Sequence, residues 1–258
     1  MIIVGEKLNG MFSAVAKALD AREPAPIAKL AVDQTNAGAQ MLDVSVGPGR
    51  DDAIDAMKWM VRTIQDAVDT RLSVDSPSSE VLKAGLAECR KQALINSTTA
   101  EDAKLAELLP LAKEYSAEIV CLTIDEKGIP NSVEMRTELA MKILAFAMDT
   151  GLPAESLYID PVVLPVSAAQ NQLALACEAL TSFKMLSSPP PKTIIGLSNV
   201  SSGAQEKKLL NRTLLAMMMG RGLDAAIVDP LDIELMNTVK AADVLLNKRL
   251  YAHSFLKA

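Results

Sequence analysis

The chain has 258 residues, of which half are hydrophobic and only 3% aromatic, so it can bury a large aliphatic core. Its formal net charge of −6 and its lack of a basic run argue against a nucleic-acid partner, which requires a basic face. No apolar stretch reaches membrane-spanning length, and residues 1–10 lack the basic start of a signal peptide. We therefore expect a cytoplasmic protein with no membrane segment.

Eight short runs rich in β-branched residues predict β-strands. In chain order they are residues 2–5, 41–46, 71–75, 92–96, 118–124, 157–160, 193–198 and 225–229. The segments between them carry apolar residues at the three- and four-residue spacing of helices. These segments are residues 27–34, 54–64, 80–89, 101–115, 133–148, 168–185, 209–219 and 233–246.

Some helix ends can be predicted from local signals. Ser76 before Pro77 predicts an N-cap and a first helical residue. Residues 98–101, with the sequence TTAE, have the form of a capping box. Gly151 falls where a helix should end.

Regular alternation of strands and helices indicates a parallel sheet, because parallel pairing needs crossover connections. Eight units predict a (β/α)8 TIM barrel that forms a single domain over residues 1–258. A doubly wound open sheet is the alternative. It predicts a glycine-rich phosphate turn after the first strand, and the sequence GEKLNG there lacks that pattern.

Four of the predicted strands end in, or lead directly into, an acidic or amide side chain: Asp75, Asn96, Asp160 and Asn199. Asp and Asn are poor strand formers, so packing explains them badly. Active sites of such barrels lie at the carboxyl ends of the strands, and we expect one polar pocket there. The amino ends of the strands show no comparable polar set.

Structural roles compete with this interpretation. Each of the four residues could instead be a helix cap or a turn residue. Asp43 is evenly balanced between a structural and a ligand-contacting role, and Asp229 before Pro230 favours a cap. Lys207, Lys208 and Arg212 either form a solvated face or meet an anionic tail of the ligand.

The residues that commonly bind metals are sparse. Three widely spaced cysteines, Cys89, Cys121 and Cys177, provide neither a disulfide framework nor a metal pair. The single histidine, His253, excludes a multi-histidine centre. We expect this chain to bind no metal.

Taken together, the motifs resemble those of the methyltetrahydrofolate:corrinoid protein methyltransferases. This is a branch of the pterin-binding barrels, which also include dihydropteroate synthase and the folate domain of cobalamin-dependent methionine synthase. The segments that carry the resemblance extend over essentially the whole chain. They are VGEKLNGMF at 4–12, LDVSVGPG at 42–49, LSVDS at 72–76, INST at 95–98, LYIDP at 157–161, GLSNVS at 196–201, NRTLLAMMM at 211–219 and LDAAI at 223–227.

The resemblance also implies which residues bind the pterin and which are catalytic. The pterin-binding set would be Asp75, Asn96, Asp160, Gly196, Ser198 and Asn199. Within it, Asn199 would lie near the methyl-bearing nitrogen, and Asn199 and Asp160 would be catalytic. Lys184 would lie nearby.

The resemblance also implies a reaction and a partner. A methyl group would move between methyltetrahydrofolate and the cobalt of a corrinoid (cobalamin). The corrinoid would be carried by a separate protein, since the chain lacks a DxHxxG corrinoid motif. That partner would be a corrinoid/iron–sulfur protein of acetyl synthesis, or the corrinoid protein of a demethylase system that returns methyl groups to tetrahydrofolate. A homodimer is expected.

The chain departs from the family pattern at Ser202, where close relatives carry a longer amide side chain.

Two alternative functions remain. A dihydropteroate synthase would need basic residues after Gly-Leu-Ser, where this chain has Asn199, Val200 and Ser201. The other alternative is a non-catalytic folate-binding subunit.

Overall fold

The computed structural model describes residues 1–257, in which eight parallel strands close into one barrel. Each strand pairs with the next along the chain, and β1 closes the barrel by pairing with β8. The strands are β1 (Ile2–Asn9), β2 (Met41–Ser45), β3 (Arg71–Asp75), β4 (Leu94–Thr99), β5 (Glu118–Leu122), β6 (Leu157–Asp160), β7 (Lys192–Gly196) and β8 (Ala225–Val228). The predicted barrel is confirmed, and the open sheet is wrong.

Helices surround the barrel and connect its strands. They are α1 (Ser13–Ala21), α2 (Pro24–Asn36), α3 (Ala53–Ala67), α4 (Ser79–Glu88), α5 (Asp102–Glu114), α6 (Val133–Thr150), α7 (Val166–Ala169), α8 (Gln172–Phe183), α9 (Lys207–Met219) and α10 (Ile233–Leu245). The predicted helix at 168–185 is thus divided into α7 and α8. Gly151 ends α6 in the left-handed conformation, as predicted. Among residues 1–257, no helix combines the length and apolar character needed to cross a membrane.

Two of the predicted helix starts are wrong. Helix α4 begins after Ser78, whose hydroxyl accepts a hydrogen bond from the backbone N–H of Val81, whereas Ser76 accepts from Ser78 in the preceding turn. The TTAE segment is no capping box, because β4 continues through Thr99 and α5 begins only at Asp102. An irregularity in the pairing of β4 with β5 accompanies this extension of the strand.

Side chains inside the barrel stack in layers, because successive residues of a strand point to opposite faces. Seven strands contribute one buried apolar residue each to a cluster that we call the apolar layer. Its members are Val4, Met41, Leu94, Val120, Tyr158, Ile194 and Ala225. A second, larger aliphatic core lies between the barrel and the helices.

An ionic cluster lies on the amino side of the apolar layer. The Glu118 carboxylate is almost fully buried and accepts hydrogen bonds from Arg71 and Lys192, each at 2.5 Å. The Tyr158 hydroxyl adds a contact at 3.4 Å. Burial opposes ionisation of Glu118, but the hydrogen bonds from Lys192 and Arg71 outweigh it and hold the pKa of Glu118 below its usual range. The expectation that the amino ends carry no polar set is therefore wrong.

This ionic cluster should stabilise the barrel. Glu118→Gln should lower the free energy of unfolding by about 2–4 kcal/mol at pH 7, because it leaves two cations without their buried counterion. Since the pKa of Glu118 is lowered, this loss should disappear as the pH falls below about 4. Urea denaturation at both pH values measures it.

Glu88→Gln is the matched control, because Glu88 forms a similar two-bond ion pair with Arg62 at the surface. It should change stability far less. Equal losses in the two variants would contradict the assignment of a stabilising role to the buried cluster.

Candidate active site

The carboxyl end of the barrel holds a cavity of about 660 Å³. Its floor follows from the two-residue period of the strands. In the same seven strands, the residue two positions after the apolar layer lines the cavity, and Asp75 of β3 completes the ring. The ring consists of Glu6, Asp43, Asp75, Asn96, Leu122, Asp160, Gly196 and Ile227. We call these eight residues the upper layer.

All six predicted site residues line this cavity. Asp75, Asn96, Asp160 and Gly196 belong to the upper layer, while Ser198 and Asn199 lie on the short 3-10 turn Leu197–Ser201 that follows β7. A Cβ at position 196 would lie 3.0 Å from the Asn199 amide nitrogen, so Gly196 leaves room for that amide. The structure therefore brings the predicted residues together.

Asp43 links three strands beneath the cavity. One carboxylate oxygen of Asp43 accepts from the Ser73 hydroxyl at 2.6 Å and from the Asn96 amide at 3.0 Å. This bond uses one N–H of Asn96 and leaves its carbonyl oxygen and second N–H for the cavity. Burial, reinforced by the neighbouring charge of Asp75, raises the pKa of Asp43 to about 7. Burial also raises the pKa of Asp75.

Asp160 is held at both its backbone and its side chain. Its carbonyl oxygen accepts from the backbone N–H and the hydroxyl of Thr123, both at 3.0 Å. Its carboxylate accepts from the backbone N–H of Val162 at 2.7 Å and from that of Gly196. Burial still dominates and raises the pKa of Asp160 to about 7. Asp160 is therefore poised to ionise when an N–H donor arrives.

Glu6 and Ser198 connect the first and seventh strands across the cavity. The Ser198 hydroxyl lies 2.9 and 2.8 Å from the two carboxylate oxygens of Glu6 and donates to them. Burial raises the pKa of Glu6 despite this bond. The next residue, Lys7, pairs with Asp229 at 2.8 Å and lies over the Phe12 ring, 5.0 Å from its centroid.

Several of the looser sequence expectations can be compared with these positions. The predicted capping role of Asp229 is wrong: it accepts from the backbone N–H of Leu231 at 3.0 Å in the turn before α10, whereas Asp232 caps that helix. Lys207 lines the cavity, whereas Arg212 pairs with Asp232. The placement of Lys184 near the site is wrong. It pairs with Asp224, just before β8 and thus at the amino end of the barrel.

Sequence reasoning missed several residues of the cavity. Sequence reasoning leaves Asp43 between a structural and a ligand-contacting role and does not assign Glu6 to the site. The spacing Val4 to Glu6 and Met41 to Asp43 repeats the spacing from the apolar to the upper layer, and this signal could have identified them. Ser202 lines the cavity as well. Residues 1–257 contain no cluster of three or more His, Cys, Asp or Glu side chains arranged to hold a metal.

Comparisons with known proteins agree with this geometry. Residues 6–229 match the profile of the pterin binding enzymes. The chain is 36% identical to a methylcorrinoid:tetrahydrofolate methyltransferase of Eubacterium limosum, over all of this chain and 96% of that protein. It is 29% identical to the methionine synthase of Mycobacterium tuberculosis, over 93% of this chain but only 21% of that protein.

A solved structure supports the fold. Dihydropteroate synthase of Xanthomonas albilineans with 4-aminobenzoic acid superposes with a TM-score of 0.71 and 17% identity, over 97% of this chain and 93% of that chain. At this identity the likeness concerns the fold alone.

The buried carboxylates of the cavity should reduce stability. Burial raises the pKa of Asp160 to about 7, so the folded protein is most stable where Asp160 is protonated, below about pH 4. This stability is lost as the pH rises through 7 and Asp160 must ionise in the folded protein. Asp160→Asn removes this ionisation and should raise the free energy of unfolding by about 1–4 kcal/mol at pH 8. The gain should shrink towards pH 4, as urea denaturation at both pH values would show.

Asp52→Asn serves as the control, because hydrogen bonds from Arg50 lower the pKa of Asp52. That variant should show no gain at pH 8. A gain for Asp160→Asn that did not depend on pH would refute the role of ionisation.

Proposed function

This chain belongs to the pterin-binding enzyme family, and on that premise we propose that it transfers a methyl group between tetrahydrofolate and the cobalt of a corrinoid carried by a separate protein. The observation that carries the proposal is the convergence of Asp75, Asn96 and Asp160 with Asn199 on one cavity. The full-length similarity to a methylcorrinoid:tetrahydrofolate methyltransferase supports the same reaction.

The upper layer suits the 2-amino-4-oxo ring of a pterin. That ring presents adjacent N–H groups, which can donate hydrogen bonds to carboxylates. It also has an oxo group and ring nitrogens, which can accept hydrogen bonds from an amide. Asp75 and Asp160 are the proposed acceptors, and Asn96 supplies its carbonyl oxygen and second N–H. Leu122 and Ile227 offer apolar contacts to the ring faces. A bicyclic heterocycle rich in N–H groups relieves the desolvation of the two carboxylates on binding.

Two lysines also line the cavity, and one of them, Lys7, is paired with Asp229. Lys207, the first residue of α9, is exposed and lines the cavity, and Lys7 lies near the same opening. An acidic floor below a partly basic mouth matches a folate, whose ring donates N–H groups and whose glutamate tail carries carboxylates. We therefore assign Lys207, rather than Lys208 or Arg212, to the anionic tail.

The chemistry concerns the methyl-bearing pterin nitrogen. When methyltetrahydrofolate is the donor, the carbon–nitrogen bond breaks, the nitrogen keeps the electron pair, and a proton or strong hydrogen bond must compensate the developing charge. The corrinoid of the partner supplies cobalt(I) as the nucleophile. The ionised Asp160 carboxylate can stabilise the protonated nitrogen by its charge, and the Asn199 amide can donate a hydrogen bond to the unprotonated nitrogen. Such donors are most effective when their stabilisation is concentrated in the transition state.

The direction of transfer depends on supply, because an enzyme accelerates both directions of a reaction. The name of the Eubacterium limosum relative describes a methylcorrinoid as donor and tetrahydrofolate as acceptor. This supports a demethylase-system corrinoid protein as the partner, rather than a corrinoid/iron–sulfur protein of acetyl synthesis. We propose the same direction here.

The proposal extends to assembly and compartment. Exposed apolar side chains on α9 and α10, including Leu209, Met217 and Leu245, support a homodimer. The three cysteines are free and support a reducing, cytoplasmic setting.

The reaction can be tested by mixing the protein with methyltetrahydrofolate and cobalt(I) cobalamin. We expect the cobalamin absorbance to change as the methyl group is transferred, and the reverse reaction to proceed from methylated cobalamin and tetrahydrofolate. Folate binding without any transfer would instead indicate a non-catalytic subunit. Condensation of a pterin diphosphate with 4-aminobenzoate would indicate a dihydropteroate synthase.

Asn199→Ala should lower the turnover number about 10²–10³-fold, because it removes a donor aimed at developing charge. The dissociation constant of folate should change little. Asn171→Ala, at the start of α8, is the matched control and should retain wild-type turnover. A loss below tenfold would remove Asn199 from the mechanism.

Folate binding should depend on pH. Asp160 and the pair Asp43–Asp75 can accept N–H groups fully only when ionised, and their pKa values are raised by burial, to about 7 for Asp160 and Asp43. The dissociation constant should therefore rise about tenfold per pH unit below 7 for each required ionisation. Isothermal titration calorimetry at pH 6, 7 and 8 measures this. A constant affinity over this range would contradict recognition by carboxylates.

A further inference from the structure

A strained residue lies two positions after Asp160, in the loop that follows β6. Val162 has a φ of +65°, a left-handed conformation that is a clear outlier for a β-branched side chain. Its backbone N–H is the group that donates to the Asp160 carboxylate at 2.7 Å. Such conformations persist only where the surrounding structure enforces them, and they concentrate at functional sites. The structure around Val162 must therefore enforce its left-handed conformation.

A buried arginine on the neighbouring helix contacts this segment. Arg136 of α6 is 0% exposed, and its guanidinium donates to the Pro161 carbonyl oxygen at 2.9 Å. It also donates to the carbonyl oxygen of Ser132 at 3.4 Å and to the side-chain oxygen of Gln172 at 2.9 Å. These contacts tie the peptide between Pro161 and Val162 to both α6 and α8.

The charge of Arg136 is unusual in its surroundings. Its three acceptors are neutral oxygens, and within residues 1–257 it forms no ion pair with an acidic side chain. Burying a charge without a counterion opposes folding, and an apolar residue would pack there more favourably. Stability alone therefore explains Arg136 badly.

We propose that Arg136 is a positioning residue, which clamps the Pro161 carbonyl so that Val162 keeps its left-handed turn and aims its N–H at Asp160. The clamp would fix the orientation of the carboxylate that receives the pterin. This inference rests on the proposed function only for its effect on folate binding. The geometry of Asp160 can be tested without any ligand.

Arg136→Met is the principal variant, since it keeps much of the side-chain volume and removes every donor. Without the clamp, Val162 can relax to a negative φ and withdraw its N–H from Asp160. The folate dissociation constant should rise about 10–100-fold, the effect of losing one hydrogen bond to a charged group. The pKa of Asp160 should rise by about one unit, as measured by its carboxyl carbon-13 shift and assigned with Asp160→Asn.

Val162→Gly provides the second arm of a double-mutant cycle, because glycine adopts a positive φ without strain. In the Arg136→Met background it should lower the folate dissociation constant and return the pKa of Asp160 towards the wild-type value. On its own it should weaken binding less than Arg136→Met does. A general loss of stability in α6 would not be repaired by this change in the loop.

Ile143→Ala is the matched control. Ile143 is a fully buried residue of the same helix, and its truncation opens a cavity. It should destabilise the protein and leave the pKa of Asp160 unchanged. If Arg136→Met does not fold, Gln172→Leu removes one acceptor of the guanidinium and should shift affinity and pKa in the same direction by a smaller amount.

Three results would overturn the proposal: an unchanged Asp160 pKa in the Arg136 or Gln172 variants, an equal shift in Ile143→Ala, or no restoration by Val162→Gly. Failure of the proposed function has a different signature. In that case the wild-type protein would bind no tetrahydrofolate, while the carbon-13 titration would still report whether Arg136 controls Asp160.

Discussion

The two-residue period of a strand, combined with closure of the barrel, determines the rest of this structure. Because eight parallel strands are held in a fixed register, their inward-facing side chains stack in successive layers inside the barrel. An apolar layer therefore separates an ionic cluster around Glu118 from a polar cavity two residues further along the strands. Each layer can have its own chemistry because the dry layer between them isolates the charges.

The two polar layers have opposite energetics. Around Glu118 of β5, cations from β3 and β7, each two strands away, compensate the buried acid and lower its pKa. In the cavity, Asp43 and Asp160 receive mainly neutral donors, so desolvation prevails and their pKa values rise to about 7. One end of the barrel thus supports the fold, while the other holds carboxylates whose ionisation only a ligand with N–H donors fully satisfies. This contrast is a physical basis for the trade between stability and function that many enzymes show.

The sequence allowed prediction of the site where a strand and its polar residue end together. Asp75 and Asp160 are the last residues of β3 and β6, so both the rim and their direction could be inferred. Glu6 and Asp43 were harder, because β1 runs four residues beyond the predicted end and Asp43 lies in the interior of β2. The capping box at 98–101 failed for a related reason, since tertiary pairing extended β4 over residues with helix-start chemistry.

Lys184 illustrates another limit. It follows α8, and the helices of such a barrel run antiparallel to the strands, so the end of a helix returns to the amino rim. The family motifs gave no information on the position of Lys184, but the topology of the barrel places it at the amino rim. Arg136 and Val162 lay beyond either kind of reasoning, because neither periodicity nor composition reports a left-handed φ or a carbonyl held by a helix on another unit.

The likeness to dihydropteroate synthase concerns the frame of the barrel and leaves the reaction to the residues of the cavity. Barrels that share 17% identity over nearly their whole length share the frame that presents the upper layer. In this chain, the turn after β7 presents Asn199 with Val200 and Ser201 instead of basic side chains, so it offers a neutral donor where a diphosphate would need cations. The turn after β7 can carry such a difference because loops can change without disturbing the layers beneath them.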